Sequence, residues 1–245
     1  MNINSETINK TVIVTGASGD IGLAVVKRLL RDGYNVAACC HNNGTRLKAL
    51  ELGNIAIYDL DLSYDENIKA CAIKIGKEAH HIAGLVNCAG VAAGSLFGMT
   101  KISDMRALFD VNLFGTLLFT QVIAKKLIRQ KCGSIINLAS ITGILAEQGT
   151  LAYGASKAAL IYASKVLAVE LGQFGIRVNA VAPSAVNTRM ADAMDEKAKK
   201  KLDQLGSLPG KTEPENIADL VAFLISDSAE AISGETIRVD RGMPF

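Results

Sequence analysis

The sequence carries almost no surplus charge: 26 lysines and arginines stand against 24 acids, a formal net charge of +2. Nothing in that balance recruits nucleic acid or an anionic membrane, so a small-molecule partner is expected. No apolar run approaches the roughly 20 residues needed to span a bilayer. The first ten residues, MNINSETINK, are polar and lack an apolar core followed by a small-residue cleavage site. A cytoplasmic protein is the expectation. CxxC spacing is also missing, and the five cysteines (Cys39, Cys40, Cys71, Cys88 and Cys132) show no pairing pattern with the three histidines. Four of them lie in or beside apolar runs, where a free cysteine behaves as a small buried hydrophobe, so neither a disulfide framework nor a metal site is expected. No linker divides the 245 residues, which suffice for one α/β domain with a core on both faces of a sheet. The lysine-rich stretch at 193–204, AMDEKAKKKLDQ, alternates charge with small residues on a helical period and reads as a solvated face.

Short β-rich runs alternate with longer amphipathic stretches. The runs are TVIVTG (11–16), NVAACC (35–40), NIAIYDL (54–60), GLVNCAG (84–90), GSIINLAS (133–140), IRVNAVAP (176–183) and ETIRVD (235–240). Their residues are apolar in succession, as strands covered by helices on both faces require. Between them, Ile21, Val25 and Leu29 mark one helix face, and Leu160, Val166, Leu167 and Leu171 mark another. The expected fold is α/β: a three-layer, Rossmann-like, doubly wound parallel sheet of seven strands joined by right-handed crossovers.

TGASGDIG (15–22) follows the first strand and opens the first helix, with glycines at Gly16, Gly19 and Gly22. Gly16 permits the tight turn, Gly22 lets helix pack on strand, and the helix N-terminus faces an anion. Asp61 and Asn87 end the third and fourth strands and lie on the same carboxyl edge, where open α/β sheets bind ligands.

From about residue 8 to 245 the chain resembles the short-chain dehydrogenases/reductases. The resemblance rests on TGxxxxxG (15–22), NCAG (87–90) in place of NNAG, VN at 111 and 112, Ser140, YxxxK at Tyr153 and Lys157, and RVNAVAP (177–183). It implies a nicotinamide cofactor bound by Gly16, Ser18, Gly19, Asp20, Ile21, Gly22, His41, Asn42, Asp61, Leu62, Asn87, Ala89, Gly90, Tyr153, Lys157, Pro183, Val186 and Thr188. Relatives usually read TGxxxGxG, so Asp20 stands where a glycine is expected. The expectation is that its side chain turns back to cap the helix, where an acid is favoured. The second strand ends at Cys40 with no carboxylate to hold a ribose 2′-hydroxyl, while His41 and Arg46 can attract a 2′-phosphate. NADP(H) is therefore expected as the preferred cofactor, with NAD(H) as the alternative.

The same resemblance assigns catalysis to Asn112, Ser140, Tyr153 and Lys157. Four residues apart on one helix, Tyr153 and Lys157 share a face. A phenol titrates near 10, and lowering it by ~3 units takes about 4 kcal/mol, for which a neighbouring ammonium and an oxidised nicotinamide ring are the expected sources. Tyr153 then serves as acid or base, Ser140 holds the substrate oxygen, and Asn112 matches the residue that positions a proton-relay water. Ser184 replaces a glycine after the sixth strand, and Arg241 stands where relatives mostly have glycine, with a subunit contact expected nearby.

The greatest likeness is to 3-oxoacyl-[acyl-carrier-protein] reductases, a resemblance that implies docking of an acidic carrier. Arg129 and Lys131 supply a basic region before the fifth strand, but Phe174 occupies the second expected basic region. A dehydrogenase of a sugar, a sugar nucleotide or another small alcohol is the alternative, and a non-catalytic nucleotide-sensing module is a third. The segment 186–210, containing Met190, Met194 and Leu205, corresponds to the family's substrate lid. Relatives form tetramers through helices at about 101–130 and 151–174 and the last strand, and a homotetramer is expected here.

Overall fold

Seven parallel strands form one sheet in the order β3-β2-β1-β4-β5-β6-β7. They are β1 (Lys10–Thr15), β2 (Asn35–Cys40), β3 (Ile55–Asp59), β4 (His81–Asn87), β5 (Gly133–Leu138), β6 (Ile176–Pro183) and β7 (Thr236–Val239). The computed structural model describes residues 9–41, 44–50, 53–189 and 206–244. Successive strand residues feed opposite cores. Val12 and Val14 pack with one cluster and Ile13 with the other; Ile136 and Ile135 divide in the same way. That division explains why the strands read as unbroken apolar runs.

One face is covered by α1 (Asp20–Arg31) and α7 (Pro214–Ile225), whose Val25, Leu29, Val221 and Leu224 are fully buried. The other carries α3 (Asp65–Glu78), α5 (Thr116–Gln130) and α6 (Leu151–Gly172), with Ile75, Phe119, Ile123 and Leu127 in its core. Two shorter helices, α2 (Thr45–Lys48) and α4 (Ile102–Phe109), complete the set used below. Strand order reverses between β1 and β4, whose ends meet at the Thr15–Asn87 pair. This is the switch point at which doubly wound sheets open a crevice.

Three expectations need correction. β4 begins at His81 and ends at Asn87, three residues earlier than the run 84–90 suggested. The displacement arises because the His81–Ile82 backbone pairs with Lys10 and Thr11 of β1. Val166 does not share the buried face of α6: it is exposed, whereas Leu160 and Leu171 are buried. Helical structure runs without a break from Ile102 to Gln130, long and apolar enough by composition alone to cross a membrane. Part of its apolar content is core: Phe119, Ile123 and Leu127 are buried against the sheet, while Ile102 and Phe114 are exposed. Arg241, near which a subunit contact is expected, makes contacts within the chain. Its guanidinium donates to the carbonyls of Pro209 and Lys211, both at 2.6 Å.

Within that long helix, residues Asp110–Gly115 form a π turn, and the Thr116 hydroxyl donates to the Val111 carbonyl five residues back. A side chain at Gly115 would sit 2.0 Å from the Leu62 carbonyl oxygen, so the helix is pressed directly onto the loop after β3. Such single π turns recur at functional sites, and here the turn carries Asn112 into the interior, where it is fully buried.

Gly84 tests the packing of the central strands. A Cβ there would lie 2.5 Å from the Ser134 carbonyl oxygen and 2.6 Å from the Ile225 side chain. Gly84→Ala is expected to lower stability by about 1–3 kcal/mol in urea denaturation, the scale of overpacking in a tight core.

Candidate active site

Gly16 leaves β1 with φ +62°, and a Cβ on it would come within 2.7 Å of the Ala89 Cα. Only glycine allows the loops after β1 and β4 to approach this closely, and the Thr15 hydroxyl secures the contact by accepting the Ala89 N–H at 3.1 Å. At Gly22 a Cβ would fall 2.2 Å from the Gly16 carbonyl oxygen, so α1 can pack on its own loop only without a side chain. Gly19 caps α1 with no side-chain hydrogen bond. The first-turn amides are thereby left to an anion.

Asp20 does not cap the helix, as the sequence had led us to expect. Its carboxylate accepts from Arg46 Nη1 at 2.7 Å, from the Arg189 backbone N–H at 2.9 Å and from Arg189 Nε at 3.2 Å. Two arginines offer stronger partners than the exposed amides of its own turn. Burial alone would raise the Asp20 pKa, but the hydrogen bonds from Arg189 and Arg46 and the Arg189 charge outweigh it and hold the carboxyl below the usual carboxylate range. Arg46 also donates to the Ser18 carbonyl at 2.9 Å. Together Asp20, Arg46, Asn187, Thr188 and Arg189 line a polar cavity of about 440 Å³.

A second cavity of about 710 Å³ adjoins the first: its lining begins at Ile21, next to Asp20, and shares Thr188. Ser140, Tyr153, Lys157, Cys88, Gly90, Pro183, Ser184 and Val186 also line it. Ser140 follows β5 and caps a short 3₁₀ turn, its oxygen accepting from the Thr142 N–H at 3.3 Å and the Thr142 hydroxyl at 2.9 Å. Tyr153 and Lys157 stand in the first two turns of α6. Lys157 is buried, with its Nζ donating to the Leu138 carbonyl at 2.7 Å and lying 5.8 Å from the centre of the Tyr153 ring. Burial lowers the Lys157 ammonium to about 8 and pushes the Cys88 thiol up to about 12. Tyr153 is shifted upward, opposite to the expected direction: burial raises the phenol, and the hydrogen bond from Ser140 opposes only part of that rise.

The remaining site residues divide. Asn112 does not line the cavity. Its oxygen accepts from the Val91 N–H at 2.8 Å, and its amide donates to the Val91 carbonyl at 2.8 Å and the Ser156 hydroxyl at 3.2 Å. Asn87, expected at the cofactor, is buried and donates to Thr120 and Asn137. Leu62 buries its side chain in the core. Asp61 accepts the hydroxyl and N–H of Ser63, which hold its carboxyl low, and lies 4.0 Å from His41 Nε2. Asn42, Met190, Met194, Leu205 and the 193–204 stretch lie outside the described residues. Arg189 and Thr142 were missed: Arg189 is 169 positions from Asp20, and no local pattern joins them. Among the described residues no cluster of His, Cys, Asp or Glu is arranged to hold a metal.

A family model described as Enoyl-(Acyl carrier protein) reductase matches residues 16–244. The chain belongs to the short-chain dehydrogenase/reductase family. It is 37% identical over 236 residues to a 3-oxoacyl-[acyl-carrier-protein] reductase of Rickettsia felis, with 96% of each chain covered. Among solved structures, a short-chain type dehydrogenase/reductase from Mycobacterium ulcerans superimposes with TM-score 0.92 at 26% identity, covering 96% of this chain and 90% of the other. A 4-hydroxyisoleucine dehydrogenase complexed with NADH superimposes with TM-score 0.88 at 29% identity, covering 96% and 98%. The fold, the family and an oxidoreductase activity follow.

The Lys157 shift has a signed consequence. Its folded value of about 8 lies below the ordinary 10.5. Between the two the unfolded chain binds the proton and the folded chain does not, so stability rises with pH across that window. Wild type is expected to gain stability relative to Lys157→Met from pH 8 to 10, and to show a constant difference below pH 7. Urea denaturation of both proteins across that range checks it.

Proposed function

We propose that the protein is an NADP(H)-preferring reductase of 3-oxoacyl-[acyl-carrier-protein] type, acting between a carbonyl and a secondary alcohol. The observation that carries this reading is the convergence of Ser140, Tyr153 and Lys157 on one cavity that opens directly beside Ile21 of the phosphate loop. The residues fit a dinucleotide. The Gly16–Ala89 approach leaves no room for a side chain in the loop, and at Gly90 a Cβ would crowd the Lys157 ammonium at 3.3 Å. When bound, the nicotinamide supplies or accepts the hydride.

Each step assigned to the protein follows from position. The Ser140 hydroxyl binds the substrate oxygen and stabilises the charge that grows on it. Tyr153 gives its phenolic proton to that oxygen in reduction and takes it back in oxidation. Because burial holds the phenol high in the free protein, it stays protonated at neutral pH and suits the reductive direction. Lys157, anchored on Leu138, places a cation beside the ring and stabilises the phenolate once the proton has left. Asn112, joined to Val91 and Ser156, positions the strand end against α6.

The NADP(H) preference is supported by the absence of a carboxylate at the end of β2, by His41 directly after it and by Arg46 beside the loop. Carrier docking is supported by Arg129 and Lys131 at the end of α5. Phe174, where a second cation would aid docking, favours the small-alcohol reading to that extent. We propose a cytoplasmic homotetramer, assembled through α4, α5 and α6 and the last strand. Exposed Phe114 between α4 and α5, and Tyr162 and Val169 on α6, support an apolar contact there.

Tyr153→Phe should lower kcat with NADPH and a 3-oxoacyl thioester by about 10²–10⁴-fold, while dinucleotide affinity stays within threefold. Steady-state assays on the carrier-linked thioester, its small thioester analogue and free sugars, with both cofactors, decide the substrate class. Unchanged turnover in Tyr153→Phe would remove the mechanism.

A further inference from the structure

The carboxylate of Asp20 sits in a phosphate-binding loop, where an uncompensated negative charge opposes a dianion. In this chain the acid has two cationic partners from distant segments. Arg46 Nη1 lies at 2.7 Å, and Arg189 reaches it through both its backbone N–H (2.9 Å) and its Nε (3.2 Å). The Arg189 side chain is 63% exposed and the Asp20 side chain 16%, so the pair lies at the mouth of the small polar cavity. That cavity shares Thr188 with the catalytic cavity and begins where the catalytic lining starts, at Asp20–Ile21. The pair therefore stands where the two cavities adjoin.

We infer that Arg189 is a cofactor-positioning residue whose guanidinium neutralises Asp20, so that the cavity beside the phosphate loop keeps the net positive charge a pyrophosphate requires. This rests on the reading of the loop as a dinucleotide site. The argument is a charge count over the lining residues Asp20, Arg46 and Arg189. With all three present the cavity carries a net charge of +1; without Arg189 it is neutral; without Asp20 it is +2; without both it returns to +1. Anion affinity follows that order because the charges line one cavity and act at short range. Arg46 alone leaves the cavity neutral, since Asp20 matches its single charge.

A side chain that merely stiffened the chain after β6 would not obey this count. If it only tied that chain to the phosphate loop through Asp20, Asp20→Asn would weaken binding as much as Arg189→Ala does. Direct capture of the phosphate by Arg189 would leave the double variant as weak as the single one. Neutralisation alone weakens Arg189→Ala while leaving Asp20→Asn at least as tight as wild type.

The test measures binding of NADPH and NADH by nucleotide fluorescence, with no substrate present, in wild type, Arg189→Ala, Asp20→Asn and Asp20→Asn/Arg189→Ala at low salt and at 0.5 M salt. Arg189→Ala is expected to raise both dissociation constants about tenfold at low salt and by less than threefold at 0.5 M, where screening shortens the reach of the charges. Asp20→Asn is expected to bind as tightly as wild type or more tightly. The double variant is expected to return to within threefold of wild type, and Arg189→Lys to restore most of the affinity. Equal affinity in Arg189→Ala and wild type would overturn the inference, as would a double variant as weak as Arg189→Ala. Failure of wild type to bind either dinucleotide would instead overturn the cofactor reading on which the inference rests.

Discussion

The hydrogen bond from the buried Lys157 ammonium to the Leu138 carbonyl ties the first turns of α6 to the carboxyl end of β5. A cation is rarely left in a protein interior without a partner, because desolvation disfavours it strongly. Here the last carbonyl of a strand receives the charge, and the geometry of the site follows from that anchor. It fixes Lys157 under the Tyr153 ring and brings Tyr153 into reach of Ser140, two residues past Leu138. The glycines around it are set by the same closeness. Gly90 faces the ammonium and Asn112, and at Gly143 a Cβ would meet the backbone of Lys157 and Ala158 at 2.8 Å.

Behind that anchor, polar side chains hold the strand ends in register. Asn87 donates to Thr120 and Asn137, and Asn137 donates to the Ser164 hydroxyl, which in turn donates to the Leu160 carbonyl. These links join β4 and β5 to α5 and α6 through groups that are nearly inaccessible to solvent. Buried hydrogen bonds of this kind contribute roughly 0.5–1.5 kcal/mol each when made and cost more when one partner is lost. They therefore specify alignment more than they add stability, and alignment is what places Ser140 and Tyr153 on a common cavity.

The sheet and the glycine loop were legible because both follow from short-range rules. Strands buried on both faces read as apolar runs, and Gly16 and Gly22 sit where no side chain fits. β2 and β6 fall where their runs predicted, whereas β4 shifted because its first residues owe their extension to pairing with β1 and not to their own apolarity. Tyr153, Lys157 and Ser140 were recognisable from spacing. Their electrostatics were not, since the Tyr153 shift depends on burial, which no spacing encodes. The hydrogen-bond partners of Asn87 and Asn112 were not legible for a related reason: the same residue at a strand end or in a helix can face a ligand or a neighbouring backbone, and only tertiary packing decides.

Asp20 and Arg241 show how departures from a family pattern are absorbed elsewhere in the chain. Arg241 adopts φ +56°, a left-handed conformation that a non-glycine residue enters at about 1–2 kcal/mol. Its guanidinium donates to the carbonyls of Pro209 and Lys211, and its own carbonyl accepts the Leu208 N–H. Hydrogen bonds from a charged donor contribute about 1.5–3 kcal/mol, enough to offset the strain. Glycine at 241 would be free of the strain but would leave residues 206–211 without these side-chain ties. Asp20 follows the same logic with charge in place of backbone strain. An acid that would repel a phosphate is balanced by arginines from two other segments, and one of them, Arg189, lies on the stretch that leaves β6. The chain on both sides of residues 190–205 is thus fixed by an arginine, to the phosphate loop at one end and to the C-terminal segment at the other. Each side chain therefore does more than fill a position: Asp20 joins the chain after β6 to the phosphate loop, and Arg241 joins residues 209–211 to the C-terminal segment.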